Sequence, residues 1–227
     1  MRLYAIYSAY LKPLKDEWFL PSLKDDFELR MTEAKEHGGP YRSEGFARAV
    51  MEKTDCIISA IRENTGSCFV YSDVDIQFFR PVAGLLRDAI AGLDIVCQRD
   101  APPPTDTMCS GFFVMQANKK SLSFWQRVRT EAGKDGRDQR VFNAMIRKRT
   151  ARTFWRPALQ YGYLPTCFFG GGTLTGKQWV PGMTLQVPQD IVLHHANYTV
   201  GIDNKIAQLQ HVRAAVEARG ARQPKNG

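Results

Sequence analysis

Apolar positions fall into short alternating runs and longer helical stripes. Residues 2–8 alternate bulky and small side chains (Leu3, Tyr4, Ala5, Ile6, Tyr7) and predict a first strand at the very start. Residues 12–45 are broken by Pro13, Pro21, Gly38, Gly39 and Pro40, so only short pieces are expected there: helical turns at 14–19 and 31–37, and a strand at 26–30. From Ser43, read as an N-cap, Phe46, Ala47, Val50, Met51, Ile57, Ile58 and Ile61 recur at helical spacing. They predict one long helix, or two divided near Thr54-Asp55, ending by Asn64-Thr65-Gly66.

An apolar strand follows at once and runs into Tyr71-Ser72-Asp73-Val74-Asp75-Ile76-Gln77-Phe78-Phe79. Next come a helix at about 81–91, a strand at Asp94-Ile95-Val96-Cys97, and a proline loop, Ala101-Pro102-Pro103-Pro104. A strand with a glycine inside it, Cys109-Ser110-Gly111-Phe112-Phe113-Val114-Met115, is followed by helices at 119–132 and 138–149, punctuated by Asp135-Gly136. Gly111 either lets a ligand approach the backbone or marks a bulge. Beyond 150 the chain is aromatic and glycine-rich (Phe154, Trp155, Tyr161, Tyr163, Phe168-Phe169-Gly170-Gly171-Gly172-Thr173). A strand at Asp190–Leu193 leads into His194-His195-Ala196-Asn197, a helix closes the fold at 203–218, and 219–227 reads as a disordered tail. Helices alternating with buried strands are the rhythm of an α/β protein. Without internal repeats or a linker, one domain is expected over 1–218.

Composition narrows the picture only a little. The 227 residues carry 31 Lys+Arg against 23 Asp+Glu, a net charge of +8, which favours anionic partners such as nucleotide phosphates or nucleic acid. The basic residues are scattered, and no nucleic-acid-binding motif accompanies them. Five cysteines, Cys56, Cys68, Cys97, Cys109 and Cys167, lack metal-ligand spacing and read as reduced thiols of an intracellular protein. The N-terminus enters a strand directly, and no apolar run approaches the ~20 residues of a membrane span. A soluble, cytoplasmic location is therefore expected, without signal peptide or anchor.

Three clusters carry candidate chemistry. Asp73 and Asp75, two apart at the end of a buried strand, point the same way along an extended backbone. Strand C-termini are where open α/β sheets bind ligands, and two such carboxylates offer hard oxygen donors to a divalent ion. Asp138-Gln139 opens a helix, where the aspartate either caps it or faces a polar substrate. His194-His195, of which one is expected to be structural, is followed by Lys205. A neutral imidazole can complete a metal site, and the lysine can face a phosphate.

Taken in order, Tyr71–Phe79, Ser110–Met115, Asp138-Gln139 and His195-Ala196-Asn197 resemble the nucleotide-diphospho-sugar transferases of the GT-A fold. More narrowly, they are similar to the branch that includes plant wall arabinosyl- and xylosyltransferases and short microbial relatives. The resemblance implies a Rossmann-like single domain, its central, mostly parallel sheet flanked by helices. Residues 1–100 would form the nucleotide half and 101–218 the sugar and acceptor half. It implies a metal-dependent hexosyl- or pentosyltransferase using Mn²⁺ or Mg²⁺ and a nucleotide-diphosphate sugar, UDP-sugar first. The metal would be held by Asp73, Asp75 and His195. Tyr7 and Ser8 would face the base and ribose, with Asp73 also toward the ribose. Lys205 would meet the diphosphate, Ser110 and Gly111 would line the sugar, and Asp138 and Gln139 would lie at the reacting face. Lys53 matches a basic position in the preceding helix, paired with an aspartate or simply on the surface. The branch retains anomeric configuration, which implies a front-face displacement; Asp138 would instead be a base in an inverting enzyme, or stabilise an oxocarbenium-like state. The acceptor would be a carbohydrate or another hydroxyl compound. The competing readings are a non-catalytic nucleotide- or sugar-binding protein, a transferase acting on a polyanion such as nucleic acid, and an aspartyl phosphatase. The last is disfavoured because the first strand carries no acid.

Overall fold

The computed structural model describes residues 1–35, 44–100, 103, 106–147, 159–171 and 178–220. Six strands form the main sheet: β1 (Arg2–Tyr7), β2 (Glu28–Glu33), β3 (Cys68–Ser72), β5 (Ile95–Arg99), β6 (Met108–Gln116) and β7 (Tyr161–Tyr163). Their order is β2-β1-β3-β6-β5-β7. All pairings are parallel except those of β6, which runs antiparallel to both neighbours. A second sheet, β4-β9-β8, joins β4 (Ile76–Phe78), β8 (Phe168–Gly170) and β9 (Leu193–His195). The helices are α1 (Leu20–Ser22), entered through a π-helical stretch at Leu14–Phe19, then α2 (Glu44–Glu63), α3 (Ala83–Ile90), α4 (Lys119–Asp135), α5 (Asp138–Arg147) and α6 (Ile202–Gly220).

Strand alternation sorts the core onto the two faces of the main sheet. Leu3, Ala5, Val70, Phe112 and Val114 pack with Leu14, Trp18, Phe19, Leu86 and Ile90 on one face. Tyr4, Phe69, Tyr71, Phe113 and Met115 pack with α2, α4 and α5 on the other. A run of rings ties that second face together: Tyr71 stacks on Phe113 (5.3 Å), Phe113 on Trp125 (5.6 Å), and Trp125 lies 5.5 Å from Phe142. Burying each such side chain contributes roughly 1.5–3 kcal/mol or more, enough to set α4 and α5 firmly against the sheet.

The α4–α5 corner places a site residue. Asn118 caps α4, accepting from Lys120 N and Ser121 N, while the Ser121 hydroxyl returns the bond to Asn118 N. Gly136 ends the helix in the left-handed region (φ +70°), a conformation open to glycine at little cost, and the turn starts α5 at Asp138.

Three expectations change. Residues 31–33 are strand rather than helix: β2 pairs along its whole length with β1, from Arg2↔Glu28 to Tyr7↔Glu33. It is a sheet edge with mostly exposed side chains, so no apolar alternation announced it. The strand at 190–193 lies later, at Leu193–His195, and therefore contains both histidines. The terminal helix extends through Gly220. The Ser43 cap, most of the proline loop, Phe154, Trp155, Gly172, Thr173 and the tail beyond 220 lie outside the described residues. Among the described residues no helix is long and apolar enough to cross a membrane.

Truncating the centre of the ring stack tests this account. Trp125→Ala is expected to lower unfolding stability by about 3–5 kcal/mol, read from urea denaturation.

Candidate active site

The acidic motif sits where the chain leaves one sheet for the other. β3 ends at Ser72, Asp73 N donates to Gly111 O (2.6 Å), and the chain re-enters pairing at Ile76, opposite His195. Ala196 N donates to Asp75 O (2.9 Å). This crossing, rather than one uninterrupted extended strand, brings the two carboxylates toward a common point. One ligand atom from each of Asp73, Asp75 and His195 lies within 4.8 Å of the others. Because β6 is antiparallel, its start at Met108–Gly111 meets the C-terminal ends of β3 and β5, and the site gathers on that edge.

Each carboxylate has its own support. Asp75 pairs with Lys205 Nζ, and its Oδ1 is 3.2 Å from His195 Nε2; Lys205 Nζ also donates to Ala196 O (3.0 Å). Burial would raise the Asp75 pKa, but Lys205 and His195 outweigh it and hold the carboxyl well below its ordinary value. Asp73 receives Tyr71 OH (3.1 Å) and Lys53 Nζ (3.2 Å to Oδ1). Burial dominates there and raises its pKa against the pull of Lys53. Asp138 Oδ2 accepts from Ser110 Oγ (2.9 Å) and lies 3.3 Å from the same Lys53 Nζ. Lys53 is thus no surface lysine. Burial disfavours its charge, yet Asp138 and Asp73 together raise its pKa. Gln139 Oε1 accepts Ser110 N (3.1 Å), so Asp138 and Gln139 clasp one residue of β6 between them.

His195 and His194 point to opposite faces of β9. His195 Nδ1 lies 3.0 Å from Gln98 Oε1, and Gln98 Nε2 donates to Phe168 O (3.2 Å), which fixes the amide so that its oxygen faces the ring. Nδ1 therefore carries a proton; in the imidazolium that Asp75 favours, Nε2–H also donates to Asp75, and it is Nε2 that a cation would take in place of that proton. Burial disfavours the imidazolium, but Asp75 raises the His195 pKa well above its ordinary value. His194 stacks on Phe169 (5.3 Å), and burial pushes it down to about 3; it is the structural member of the pair. Gly111 is required by close approach: a Cβ there would lie 2.4 Å from Asp73 Oδ2 and 2.5 Å from His195 Cε1.

The structure thus brings together Lys53, Asp73, Asp75, Ser110, Gly111, Asp138, Gln139, His195 and Lys205. Tyr7 and Ser8 stand apart at the end of β1. Tyr7 donates to Glu33 (3.3 Å) and lies under Lys15 (4.8 Å). Just beyond them, Tyr10 OH accepts from Ile202 N (3.1 Å) at the start of α6, three residues before Lys205. Sequence reasoning missed Gln98, Asp100 and Tyr71. The available signal for Gln98 and Asp100 was two polar residues, two apart, where the apolar start of β5 gives way to polar sequence.

Three acidic or imidazole donors converge, a set that could hold a divalent cation. Two lysines flank them, Lys53 against Asp73 and Asp138 and Lys205 against Asp75. A model of the nucleotide-diphospho-sugar transferase family matches residues 25–209. No curated protein matches the sequence. Among solved structures, the chain resembles a glycosyltransferase involved in glycosylation of the major capsid of PBCV-1 at 10% identity. That match covers 94% of this chain and 100% of the other, with TM-score 0.56. It resembles the glycosyltransferase GlyE of Streptococcus pneumoniae at 11% identity and TM-score 0.58, covering 100% of this chain and 66% of that one. The galactosyltransferase LgtC, solved with donor and acceptor sugar analogues, matches at 10% identity and TM-score 0.51, with 99% and 98% covered. At these identities the likeness is one of fold, the GT-A arrangement of a single α/β domain.

Two outcomes are expected. Gly111→Ala drives a methyl into the Asp73–His195 contact and should weaken Mn²⁺ binding at least tenfold by calorimetry, with the fold retained by circular dichroism. The second concerns His194. An unfolded histidine titrates near 6.5 and the folded one near 3, so between these values the unfolded state binds more protons and stability rises with pH. His194→Phe should flatten the urea-midpoint slope between about pH 4.5 and 6.5.

Proposed function

Because the chain belongs to the nucleotide-diphospho-sugar transferase family, we propose that it is a divalent-metal-dependent glycosyltransferase that moves a sugar from a nucleotide-diphosphate sugar, UDP-sugar first, to a hydroxyl acceptor with retention of configuration. The convergence of Asp73, Asp75 and His195 beside Lys205 carries this reading. These three residues would hold Mn²⁺ or Mg²⁺, which as a Lewis acid neutralises charge on the diphosphate. Gln98, by fixing the Nδ1 proton of His195, leaves Nε2 free for that role.

The chain's own groups do the rest. Lys205 supplies a point charge to the departing diphosphate, whose negative charge grows as the glycosidic carbon–oxygen bond breaks. Lys53 holds Asp73 and Asp138 apart and oriented, linking the metal side of the site to the sugar side. Ser110 and Gly111 line the sugar. Asp138 and Gln139 lie at the reacting face, where Asp138 can stabilise an oxocarbenium-like carbon electrostatically while the acceptor oxygen attacks from the side the diphosphate leaves and passes its proton to the departing diphosphate oxygen. Tyr7 and Ser8, at the end of β1, serve the base and ribose. Residues up to about 100 supply the nucleotide half and those to 218 the sugar and acceptor half, with His195 and Lys205 reaching back across the division. The acceptor is taken to be a carbohydrate or similar hydroxyl compound. Five free cysteines among the described residues support a reducing, cytoplasmic setting.

Asp75→Ala is expected to abolish Mn²⁺-dependent hydrolysis of UDP-sugars while leaving the protein folded. Undiminished turnover would overturn the metal-site reading. In a thermal-shift panel of nucleoside diphosphates and sugar nucleotides with and without Mn²⁺, the wild type should be stabilised by a uridine compound only when the metal is present. A shift with oligonucleotides alone would favour a polyanion-binding role.

A further inference from the structure

Asp100 is buried as deeply as the residues already placed at the sugar: it is 4% exposed, beside 2% for Ser110 and 7% for Asp138. Unlike Asp73, Asp75 and Asp138, whose partners include a lysine or a histidine, it is held by neutral donors. Tyr198 OH donates to its Oδ2 (2.8 Å) and Asn197 Nδ2 to its Oδ1 (3.2 Å), and the Gln139 side chain bonds it as well. Asp100 lies just past β5, beyond the register irregularity between Cys97 and Arg99, where its carboxyl feels His195 and bonds Gln139.

The surrounding chain is shaped around this carboxylate. Tyr198 sits at φ +53°, the only positive φ outside glycine among the described residues, a position that is costly for a bulky side chain. A Cβ on Gly170 would lie 3.1 Å from both Arg99 O and Asn197 Nδ2. Asn197 spends its amide nitrogen on the Asp100 backbone oxygen (2.8 Å) and Oδ1. That orients the amide, and its own Oδ1 is left buried without a partner. A buried carboxylate and a buried unpartnered carbonyl side by side are both acceptors. They suit a neutral hydroxyl donor and repel phosphate.

Resting on the sugar-nucleotide reading above, we infer that Asp100, with Asn197 beside it, binds a ring hydroxyl of the transferred sugar and so contributes to donor specificity. Burial raises the Asp100 pKa, and a hydroxyl bonded to the ionised form opposes that penalty.

Calorimetry with Mn²⁺ tests it, using UDP, UDP-glucose, UDP-galactose and UDP-xylose against the wild type, Asp100→Asn and Tyr198→Phe. Asp100→Asn should bind UDP within about twofold of the wild type but the preferred UDP-sugar roughly tenfold or more weakly, as expected for a lost bond to a charged acceptor. Tyr198→Phe keeps the carboxylate, loosens it, and should fall between the two; it stands in if Asp100→Asn does not fold. Among monodeoxy forms of the preferred donor, one should bind the wild type poorly yet bind Asp100→Asn as well as its parent does. Variants that keep the wild-type difference between UDP-sugar and UDP, or that lose UDP binding equally, overturn the inference. A wild type that binds neither UDP nor any UDP-sugar overturns instead the reading on which it rests.

Discussion

Three carboxylates from two parts of the chain share one largely buried locus, and the structure depends on making that tolerable. Asp73, Asp75 and Asp138 cannot all be ionised there without cations. Lys53, Lys205 and His195 supply them, and Lys53 serves two acids at once. Removing one partner of such a buried arrangement typically costs about 3–5 kcal/mol, because it strands the other charge. The long helix α2, the corner into α5, the second sheet and the last helix each deliver one member of this balance. A divalent ion would add two further positive charges to the same locus, and a diphosphate would bring the negative charge that Lys205 can then meet.

The two sheets make the close approach possible. Because the chain crosses between them at Val74, Asp73 and Asp75 are anchored by different partners: Asp73 by the β6 backbone at Gly111, Asp75 by the backbone of Ala196 just after β9. Gly111 lets Asp73 and His195 come together over bare backbone. Gln98 orients His195 from behind and is itself tied to β8. The apolar rings packed behind β3 and β6 hold these strands rigid, so that the polar groups are preorganised.

Some of this was legible in residue order. Asp73, Asp75 and His195 are polar residues at the ends of apolar runs, and Asp138 opens a helix, both places where chemistry is expected. Lys53 was harder to place, because a lysine in a helix is ordinarily solvated. Yet it falls between Val50 and Ile57 on the buried stripe of α2, just as Asp138 leads Val141 and Phe142, and Lys205 precedes Gln208, Leu209 and Val212. A charged residue on an apolar stripe must find a counter-charge inside, and that rule identifies all three. Asp100 and Gln98 carried a weaker signal, since a strand's polar end reads equally well as the start of a loop. The edge strand β2 carried none, because its pairing with β1 is made by backbone and its side chains are largely exposed.

The sequence by itself determined the α/β rhythm, the family, and the residue types able to hold a metal and a diphosphate. These are local properties, set by periodicity, by abrupt changes from apolar to polar, and by short ordered motifs. Only the tertiary structure decided which charges face one another: Lys53 between Asp73 and Asp138, Lys205 with Asp75, His195 rather than His194 toward the acids, and Asp100 among neutral donors. Those pairings join residues up to 130 positions apart. They follow from the crossing between sheets and from the face each strand presents, which no single stretch of sequence encodes.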